Sequence, residues 1–180
     1  PYTWLEGSTK IGADSIIGPN VRLTNVLVGN ATNLQFVYGH DCVVGSGVTV
    51  GPYVHLRPDT IISDEVKIGN FVEVKNSNVG RGSKLPHLSY IGDSDIGERV
   101  NMGCGSITVN YDGKKKHRTI IENDAFVGCN SNLVAPVTVG AGAYVGAGST
   151  VTKDVPADDL GVARARQTNI KGWAAKYRNS

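Results

Sequence analysis

The side chains best suited to acid–base or nucleophilic chemistry in this chain are His87, Cys104 and Cys129. An imidazole can exchange a proton near neutral pH, and a cysteine thiolate is a strong nucleophile. The histidines and cysteines form no CxxC pair and show no short histidine spacing. The sequence therefore predicts no metal site and no disulfide framework, and its three cysteines are expected to remain thiols in a reducing cytoplasm.

The elements that must position these side chains follow a period of six residues. An aliphatic residue recurs at this interval over most of the chain, for example at Val44, Val50, Leu56, Ile62 and Ile68. This period fits neither an amphipathic helix nor an alternating strand. It is the hexapeptide signature of a parallel β-helix, in which each unit forms one short strand and one corner. Three strands complete a coil of about 18 residues, and successive coils rise by about 4.8 Å.

The repeat assigns each strand to one of three faces. The strands containing Val74, Val79 and Leu85 define faces A, B and C, respectively. The period becomes irregular between Val26 and Val43, where we expect a coil with a bulge or a small insertion. Elsewhere the face of any residue follows from its position in the repeat, so neighbours on adjacent coils are predicted from the sequence.

Two cations are predicted to project from neighbouring coils of face A. Arg57 and Lys75 each directly follow an inward-facing aliphatic residue, so their side chains should lie about 5 Å apart. Two unpaired cations at this distance repel each other unless an anion or a carboxylate lies nearby. Glu73 and Asp59 are close enough in the repeat to be such partners. An anion-binding site and ordinary ion pairing are therefore both open.

A second column of side chains is predicted on face C. His87, Cys104, Cys129 and Ala147 share one position of the repeat if the chain returns to face B after residue 119. This column would form a strip of small residues about 14 Å long, headed by a histidine. Such a strip suits a thin, flexible ligand such as a pantetheine arm, although ordinary surface is the alternative. Tyr90 lies at the corner between faces C and A, beside both columns.

One insertion and one tail depart from the repeat. The polar segment 109–119 includes Lys116 and is either a solvated tip or part of a binding face, where insertions in solenoids commonly lie. We predict that the β-helix occupies residues 1–157 and that residues 158–180 form a tail. Within this tail, Thr168–Tyr177 is predicted to be a short helix with Thr168 as its N-cap.

Composition excludes several classes of partner. A net charge of +2 is too small to predict binding to nucleic acid, and no apolar run reaches the length of a membrane span. The chain begins with Pro1-Tyr2 and lacks an initiator methionine. We therefore expect it to be part of a longer protein.

The segment from Leu56 to Trp173 resembles the acetyltransferase domain of the bacterial bifunctional N-acetylglucosamine-1-phosphate uridyltransferase/glucosamine-1-phosphate acetyltransferase family. The motifs that carry the resemblance are Leu56-Arg-Pro, Ile68-Gly-Asn-Phe-Val-Glu-Val-Lys-Asn76, Pro86-His-Leu-Ser-Tyr-Ile-Gly-Asp93, Ile107-Thr-Val-Asn-Tyr-Asp-Gly113, Asn132-Leu-Val-Ala-Pro-Val137 and Gly148-Ser-Thr-Val-Thr-Lys-Asp-Val155. A match of this length is much more specific than the six-residue period, which many acyltransferases share.

The resemblance implies a left-handed β-helix that forms homotrimers, with active sites between subunits. It implies that acetyl-CoA acetylates the amine of glucosamine 1-phosphate without a metal, for UDP-N-acetylglucosamine and cell-wall precursor synthesis, and that His87 is the general base. The implied sugar-phosphate ligands are Arg57, Lys75, Tyr90, Asn101 and, towards a neighbouring subunit, Lys116. The implied acetyl-CoA ligands are Cys104, Asn110, Tyr111, Cys129, Ala147 and Arg164. Where this chain has Cys104 and Cys129, the family often has Ala and Ser. If the CoA contacts are mainly made by the backbone, both changes are tolerable; if the Ser hydroxyl makes a contact, its loss would weaken CoA binding modestly.

Other functions are weighed against this expectation. The chain has no Gly-rich nucleotide loop, so it should not transfer uridylyl groups. Direct acyl transfer is favoured over an acyl-cysteine intermediate, because the strip pairs only Cys104 directly with a histidine. A hexapeptide acyltransferase acting on serine or another sugar would lack the Arg57 and Lys75 pair. A non-catalytic scaffold would need neither His87 nor the basic loop.

Overall fold

A computed structural model, which describes residues 1–178, shows a left-handed parallel β-helix with three faces. The strands of face A are Thr3–Glu6, Val54–Leu56, Val72–Lys75, Tyr90–Gly92, Ile107–Val109, Asn132–Val134 and Thr150–Val151. The strands of face B are Lys10–Ile11, Thr60–Ile62, Asn78–Val79, Ser94–Ile96, Thr119–Ile121 and Val137–Val139. Two longer strands, Val21–Val28 and Val37–Val44, run across both faces. The strands of face C are Ile16–Ile17, Asn33–Leu34, Thr49–Val50, Lys67–Asn70, Lys84–His87, Asn101–Met102, Phe126–Val127, Tyr144–Val145 and Leu160–Gly161.

The register agrees with the assignment of faces from the six-residue period. Val74 pairs with Leu56 on face A, as counted. Across the insertion, Ile96 pairs with Ile121 on face B. The strand that follows the insertion 109–119 therefore lies on face B, which is the condition for His87, Cys104, Cys129 and Ala147 to share one column on face C.

The core is a stack of inward-facing aliphatic residues. Leu56, Val74, Ile91, Met102 and Leu133 are fully buried, and each lies on a coil that packs only on its neighbours. Burial of one such side chain stabilises the fold by about 1.5–3 kcal/mol. Because every coil contributes several, the prism is a rigid support for the side chains that point outward.

Glycine lets the coils approach closely at the end of face C. A β-carbon on Gly103 would lie 2.5 Å from the amide nitrogen of Cys129, and one on Gly128 would lie 2.5 Å from that of Ala147. Larger residues there would push the coils apart, because such contacts are far inside van der Waals range. The glycines thus preserve the stacking of the small-residue strip beside them.

The irregular segment near the start is a shortened coil, so the predicted bulge or insertion is wrong. Val21 pairs with Val37, which is 16 residues later, whereas Val54 pairs with Val72, 18 residues later. This coil loses one residue at the corner between faces C and A and one at the corner between faces A and B, and the second loss lets an eight-residue strand run across both faces on each of two coils.

The C-terminal end differs from the prediction in two respects. Leu160–Gly161 pairs with Tyr144–Val145, so the β-helix continues beyond the predicted limit at residue 157. The helix comprises Trp173–Arg178 and does not begin at Thr168. Gly172 has a φ of 73°, a left-handed conformation that an α-helix cannot include, so the helix begins only after it. No helix in the described part of the chain is long and apolar enough to cross a membrane.

Candidate active site

Two outward-facing cations of face A, Arg57 and Lys75, lie close to Lys116 of the insertion, and we call these three residues the cation cluster. The Arg57 guanidinium lies 2.9 Å from a carboxylate oxygen of Glu73, one of the two partners that the repeat suggested. Both side chains are partly exposed, so this pair adds little to stability. Ordinary ion pairing therefore accounts for the charge of Arg57.

Lys75 has a partner that the sequence analysis missed. Its ammonium lies 3.4 and 3.5 Å from the two carboxylate oxygens of Asp93. Asn76 donates a hydrogen bond of 2.5 Å to the same carboxylate, and Asn110 donates another. The repeat contains a signal for this contact, because Lys75 pairs with Gly92 and the next residue is Asp93. Asp93 stands at a corner, where the direction of a side chain cannot be counted from the period.

Lys116 lies against Lys75 of its own chain. A hydrogen bond from Lys75, together with the positive charge of Lys75, holds the pKa of Lys116 below its usual range. The pKa of Lys75 is raised by the same hydrogen bond, although partial burial opposes the shift, and by Asp93. The two ammonium groups therefore repel each other. An anion placed between them would relieve this repulsion.

The insertion folds into a small hairpin that presents Lys116. Asp112 Oδ1 accepts hydrogen bonds of 2.7 Å from the amides of Lys114 and Lys115, and His117 Nε2 lies 2.8 Å from Asp112 Oδ2. These contacts lower the pKa of Asp112 to about 2, with the Lys115 amide as the largest cause. An antiparallel bridge joins Tyr111 to Lys116. The loop is therefore structured, although residues 111–116 all remain exposed.

Arg118 fastens the base of this hairpin to the β-helix. Its guanidinium donates to both carboxylate oxygens of Asp95, at 2.8 and 2.6 Å. It also donates to the backbone carbonyls of Asn76 at 3.2 Å and Ser94 at 3.0 Å. Sequence reasoning did not assign a role to Arg118, which ties the loop to the corner that also holds Asp93.

His87 occupies the end of a face C strand with Asn70 directly beneath it. The two residues are paired in register, and His87 Nδ1 lies 2.7 Å from Asn70 Oδ1. If Nδ1 carries the ring hydrogen, Asn70 accepts it and Nε2 keeps a free lone pair. That tautomer is the one needed by a base acting through Nε2, and His87 is exposed to an incoming substrate.

The strip on face C is observed in the predicted stacking order. The Asn130 amide donates to the Cys104 carbonyl at 2.7 Å, and the Gly148 amide donates to the Cys129 carbonyl at 2.8 Å. Arg164 closes the upper end, where its guanidinium donates to the Ala147 carbonyl at 3.0 Å. The strip is lined by small side chains and ends in a cation.

The other predicted acetyl-CoA residues lie across face A from this strip. Asn110 is buried and donates to the Tyr90 hydroxyl at 3.4 Å as well as to Asp93. Tyr111 is exposed, and its hydroxyl donates to the Gly113 carbonyl at 2.7 Å. Tyr90 therefore links the two edges of face A, as its place at the corner suggested.

Asn101 is not near the cation cluster. It projects from the beginning of a face C strand, in the column of Lys84 and Phe126. Lys75 projects from the end of a face A strand, so the whole width of face B separates the two residues. One chain alone does not bring together the five residues predicted to bind the sugar phosphate.

Comparisons with known proteins agree with this architecture. The family described as bacterial transferase hexapeptide (six repeats) matches residues 41–76 and 118–153. The UDP-N-acetylglucosamine acyltransferase of Francisella novicida superposes with a TM-score of 0.69 at 21% identity, over 98% of this chain and 72% of that one. The Arabidopsis enzyme of the same name gives 0.67 at 15% identity, over 90% and 70%. At these identities the likeness concerns the fold.

The class that the fold and these matches define is the hexapeptide-repeat, left-handed β-helix. Within this class the chain belongs to the family of Bifunctional protein GlmU. It is 60% identical to the protein of that name from Geobacillus sp. over 96% of the present chain. It is 55% identical to the one from Halalkalibacterium halodurans over 99% of the present chain. The resemblance predicted from the sequence is thereby confirmed. The chain spans 38% and 39% of the lengths of these two relatives.

Proposed function

We propose that this chain transfers the acetyl group of acetyl-CoA to the amine of glucosamine 1-phosphate, in the cytoplasm, at sites shared between the subunits of a homotrimer. The observation that supports it most is the joint presence of a histidine-headed strip and a cation cluster at the two edges of face A. A thin acyl carrier suits the strip, and a phosphate suits the cluster.

The reaction needs one proton transfer beside a thioester. The sugar amine attacks the acetyl carbonyl carbon, and Nε2 of His87 accepts the proton that the amine loses. The carbon–sulfur bond then breaks, the acetyl group remains on nitrogen, and the sulfur leaves as the CoA thiol once protonated. Backbone amides along the strip would stabilise the oxyanion. The contact between His87 Nδ1 and Asn70 leaves Nε2 available to the substrate.

Charge balance supports a phosphate at the cation cluster. Glu73 compensates Arg57, and Asp93 compensates Lys75, which leaves Lys116 as the excess positive charge. A phosphate monoester brings about two negative charges and oxygen acceptors, and would relieve the repulsion between the two lysines. An amine substrate without a phosphate would not relieve this repulsion.

The position of Asn101 supports sites between subunits. A single sugar phosphate cannot reach both Asn101 and Lys75 of one chain, because face B lies between them. A neighbouring prism could supply the missing side, and a closed ring of three would do so for every site.

An exposed aromatic ladder gives such a neighbour a surface to cover. Phe36, Tyr53, Phe71 and Leu88 lie above one another at the corner between faces C and A, and the Tyr53 and Phe71 rings stack at 5.4 Å. Tyr53, Phe71 and Leu88 are 55%, 52% and 58% exposed in the single chain. Clusters of exposed apolar side chains are a feature of protein interfaces, and this one ends beside His87.

The test is release of CoA from acetyl-CoA in the presence of three amines. Glucosamine 1-phosphate should be acetylated, whereas glucosamine and serine should be poor acceptors. The variant His87→Ala should lower kcat by roughly 10²–10⁴-fold, the contribution of a general base. His40→Ala, a control histidine lower on face A, should retain the wild-type rate.

Three outcomes would contradict the proposal. Equal rates with glucosamine would remove the role of the phosphate, and a preference for serine would indicate a different acyltransferase. Failure to release CoA with any of the three would favour a scaffold. A nearly unchanged kcat in His87→Ala would reject His87 as the base.

A further inference from the structure

Asp93 is the one charged residue among the buried residues of the described chain, 1–178. It is 4% exposed and stands at the corner between faces A and B with a φ of 49°. A buried carboxylate costs free energy unless it is paired and hydrogen-bonded. Its partners therefore indicate why it is there.

The partners of Asp93 come from both halves of the candidate site. Lys75, proposed to bind the sugar phosphate, contacts both carboxylate oxygens. Asn110, proposed to bind acetyl-CoA, donates to Oδ2, and Asn76 donates to Oδ1. One carboxylate thus holds a residue of each subsite.

We propose that Asp93 is a positioning residue that couples the sugar-phosphate subsite to the acetyl-CoA subsite. This inference rests on the proposed function. Asp93 touches neither substrate and acts through Lys75 and Asn110. Occupation of one subsite would change the affinity of the other through this shared carboxylate.

The physical basis is competition for the charge of Lys75. Burial raises the pKa of Asp93, but the hydrogen bonds from Asn76 and Asn110 and the charge of Lys75 outweigh it, so the pKa lies below its usual value. The carboxylate is therefore ionised at neutral pH. When a phosphate draws Lys75 towards itself, Asp93 loses part of its compensation and must rely more on the Asn110 amide. Asn110 is then held more firmly, which favours the coenzyme.

The variant that tests this is Asp93→Asn. Asparagine has nearly the same shape and tolerates a positive φ, so the corner should be preserved. It removes the charge and replaces one acceptor by a donor. Asp41→Asn is the matched control, because Asp41 also has a φ of 49°, lies on the same corner three coils lower, and accepts a 3.0 Å hydrogen bond from Asn25.

The measurement is calorimetric titration with desulfo-CoA, which lacks the reacting sulfur, with and without saturating glucosamine 1-phosphate. In the wild type and in Asp41→Asn, the sugar phosphate should tighten desulfo-CoA binding by about five-fold or more, the usual scale of coupling between sites. In Asp93→Asn this factor should fall to about one while both ligands still bind. By linkage, the sugar phosphate should show the same loss when titrated into saturating desulfo-CoA.

The outcomes separate this inference from the proposed function. A wild-type protein that binds neither ligand would refute the proposed function and, with it, the coupling. A wild type that binds both without coupling, or an Asp93→Asn variant that keeps the full factor, would refute only the coupling. Thermal unfolding checks that Asp93→Asn is folded. If it is not, Lys75→Met breaks the same link from the other side and should also abolish the factor.

Discussion

At the scale of single residues, the candidate site is a balance of nearly compensated charges. The pairs Arg57–Glu73 and Lys75–Asp93 are close to neutral, and Lys116 supplies the excess. The hydrogen bond from Lys75 and the positive charge of Lys75 lower the pKa of Lys116. An anion bound between the two amines should raise that pKa again, because it offsets their repulsion.

The three cysteines should differ sharply in reactivity. Burial, aided by the charge of Asp41, raises the pKa of Cys42 to about 12, and the residue is 4% exposed. At pH 8 an aromatic disulfide reagent should therefore label Cys104 and Cys129 in the native protein, because the thiolate is the reacting form. Cys42 should react only after denaturant is added.

The count of thiols gives the control for this prediction. Protein purified without reductant should show three thiols in denaturant, since all three cysteines are free in the structure. A count of one would mean that Cys104 and Cys129, on adjacent coils, had formed a disulfide. Rapid labelling of all three in the native state would contradict the burial of Cys42.

The outward columns could be predicted from the sequence, but the corner residues could not. Counting by the repeat placed Lys75 beside Arg57, and Cys104 beside Cys129, because those positions lie on strands whose direction is fixed by the buried core. Asp93 was missed because corner residues adopt a left-handed backbone that breaks the alternation of side chains.

At the scale of elements, the inserted hairpin is held by bonds that no repeat predicts. Its base is held by Arg118, which makes two bonds to Asp95 and two to backbone carbonyls, and by the bond from the His117 amide to the Asn110 carbonyl. From the sequence alone, the polar, lysine-rich composition of this insertion was equally consistent with a solvated loop tip. Similarly, the start of the C-terminal helix was misplaced because the backbone conformation of Gly172 is set locally and leaves no periodic signal.

Loosening the hairpin should weaken binding of the sugar phosphate. We expect Arg118→Met to raise the KM for glucosamine 1-phosphate by roughly five-fold, about the 1 kcal/mol that a partly exposed ion pair contributes. The reason is that Lys116 would no longer be held against Lys75. Steady-state kinetics at saturating acetyl-CoA measure the change.

Arg99→Met is the matched control for the hairpin. Arg99 makes an equivalent two-bond pair with Asp124, at 2.7 and 2.9 Å, on a corner away from the cation cluster. It should leave the KM unchanged while affecting thermal stability to a similar extent. An equal rise in KM in both variants would show that general loosening of the prism, and not the hairpin, controls binding.

At the scale of the whole molecule, the β-helix presents flat faces and shallow corners. No single face combines Asn101, His87 and Lys75, and the aromatic ladder beside His87 is exposed in one chain. These features have one common explanation if identical prisms pack around an axis. The corner between faces C and A of one prism, which carries His87, would then lie against the cation cluster of the next. The six-residue period predicts the prism but contains no signal for such packing, since outward positions are free to vary.

Mixing inactive variants should test the shared site. His87→Ala and Lys116→Ala subunits, unfolded and refolded together in equal amounts, should recover about one quarter of wild-type activity, because about three quarters of random trimers are mixed and each has one intact site. At concentrations of glucosamine 1-phosphate well below the KM of Lys116→Ala, each variant refolded alone should be far less active than the wild type. Lys75→Ala mixed with Lys116→Ala should recover nothing, since these two side chains meet within one chain. Recovery in that second mixture would mean that Lys116 serves a neighbour's sugar phosphate. If the first mixture recovers nothing although mixed trimers are confirmed, His87 and Lys116 act in the same subunit and the shared site is rejected.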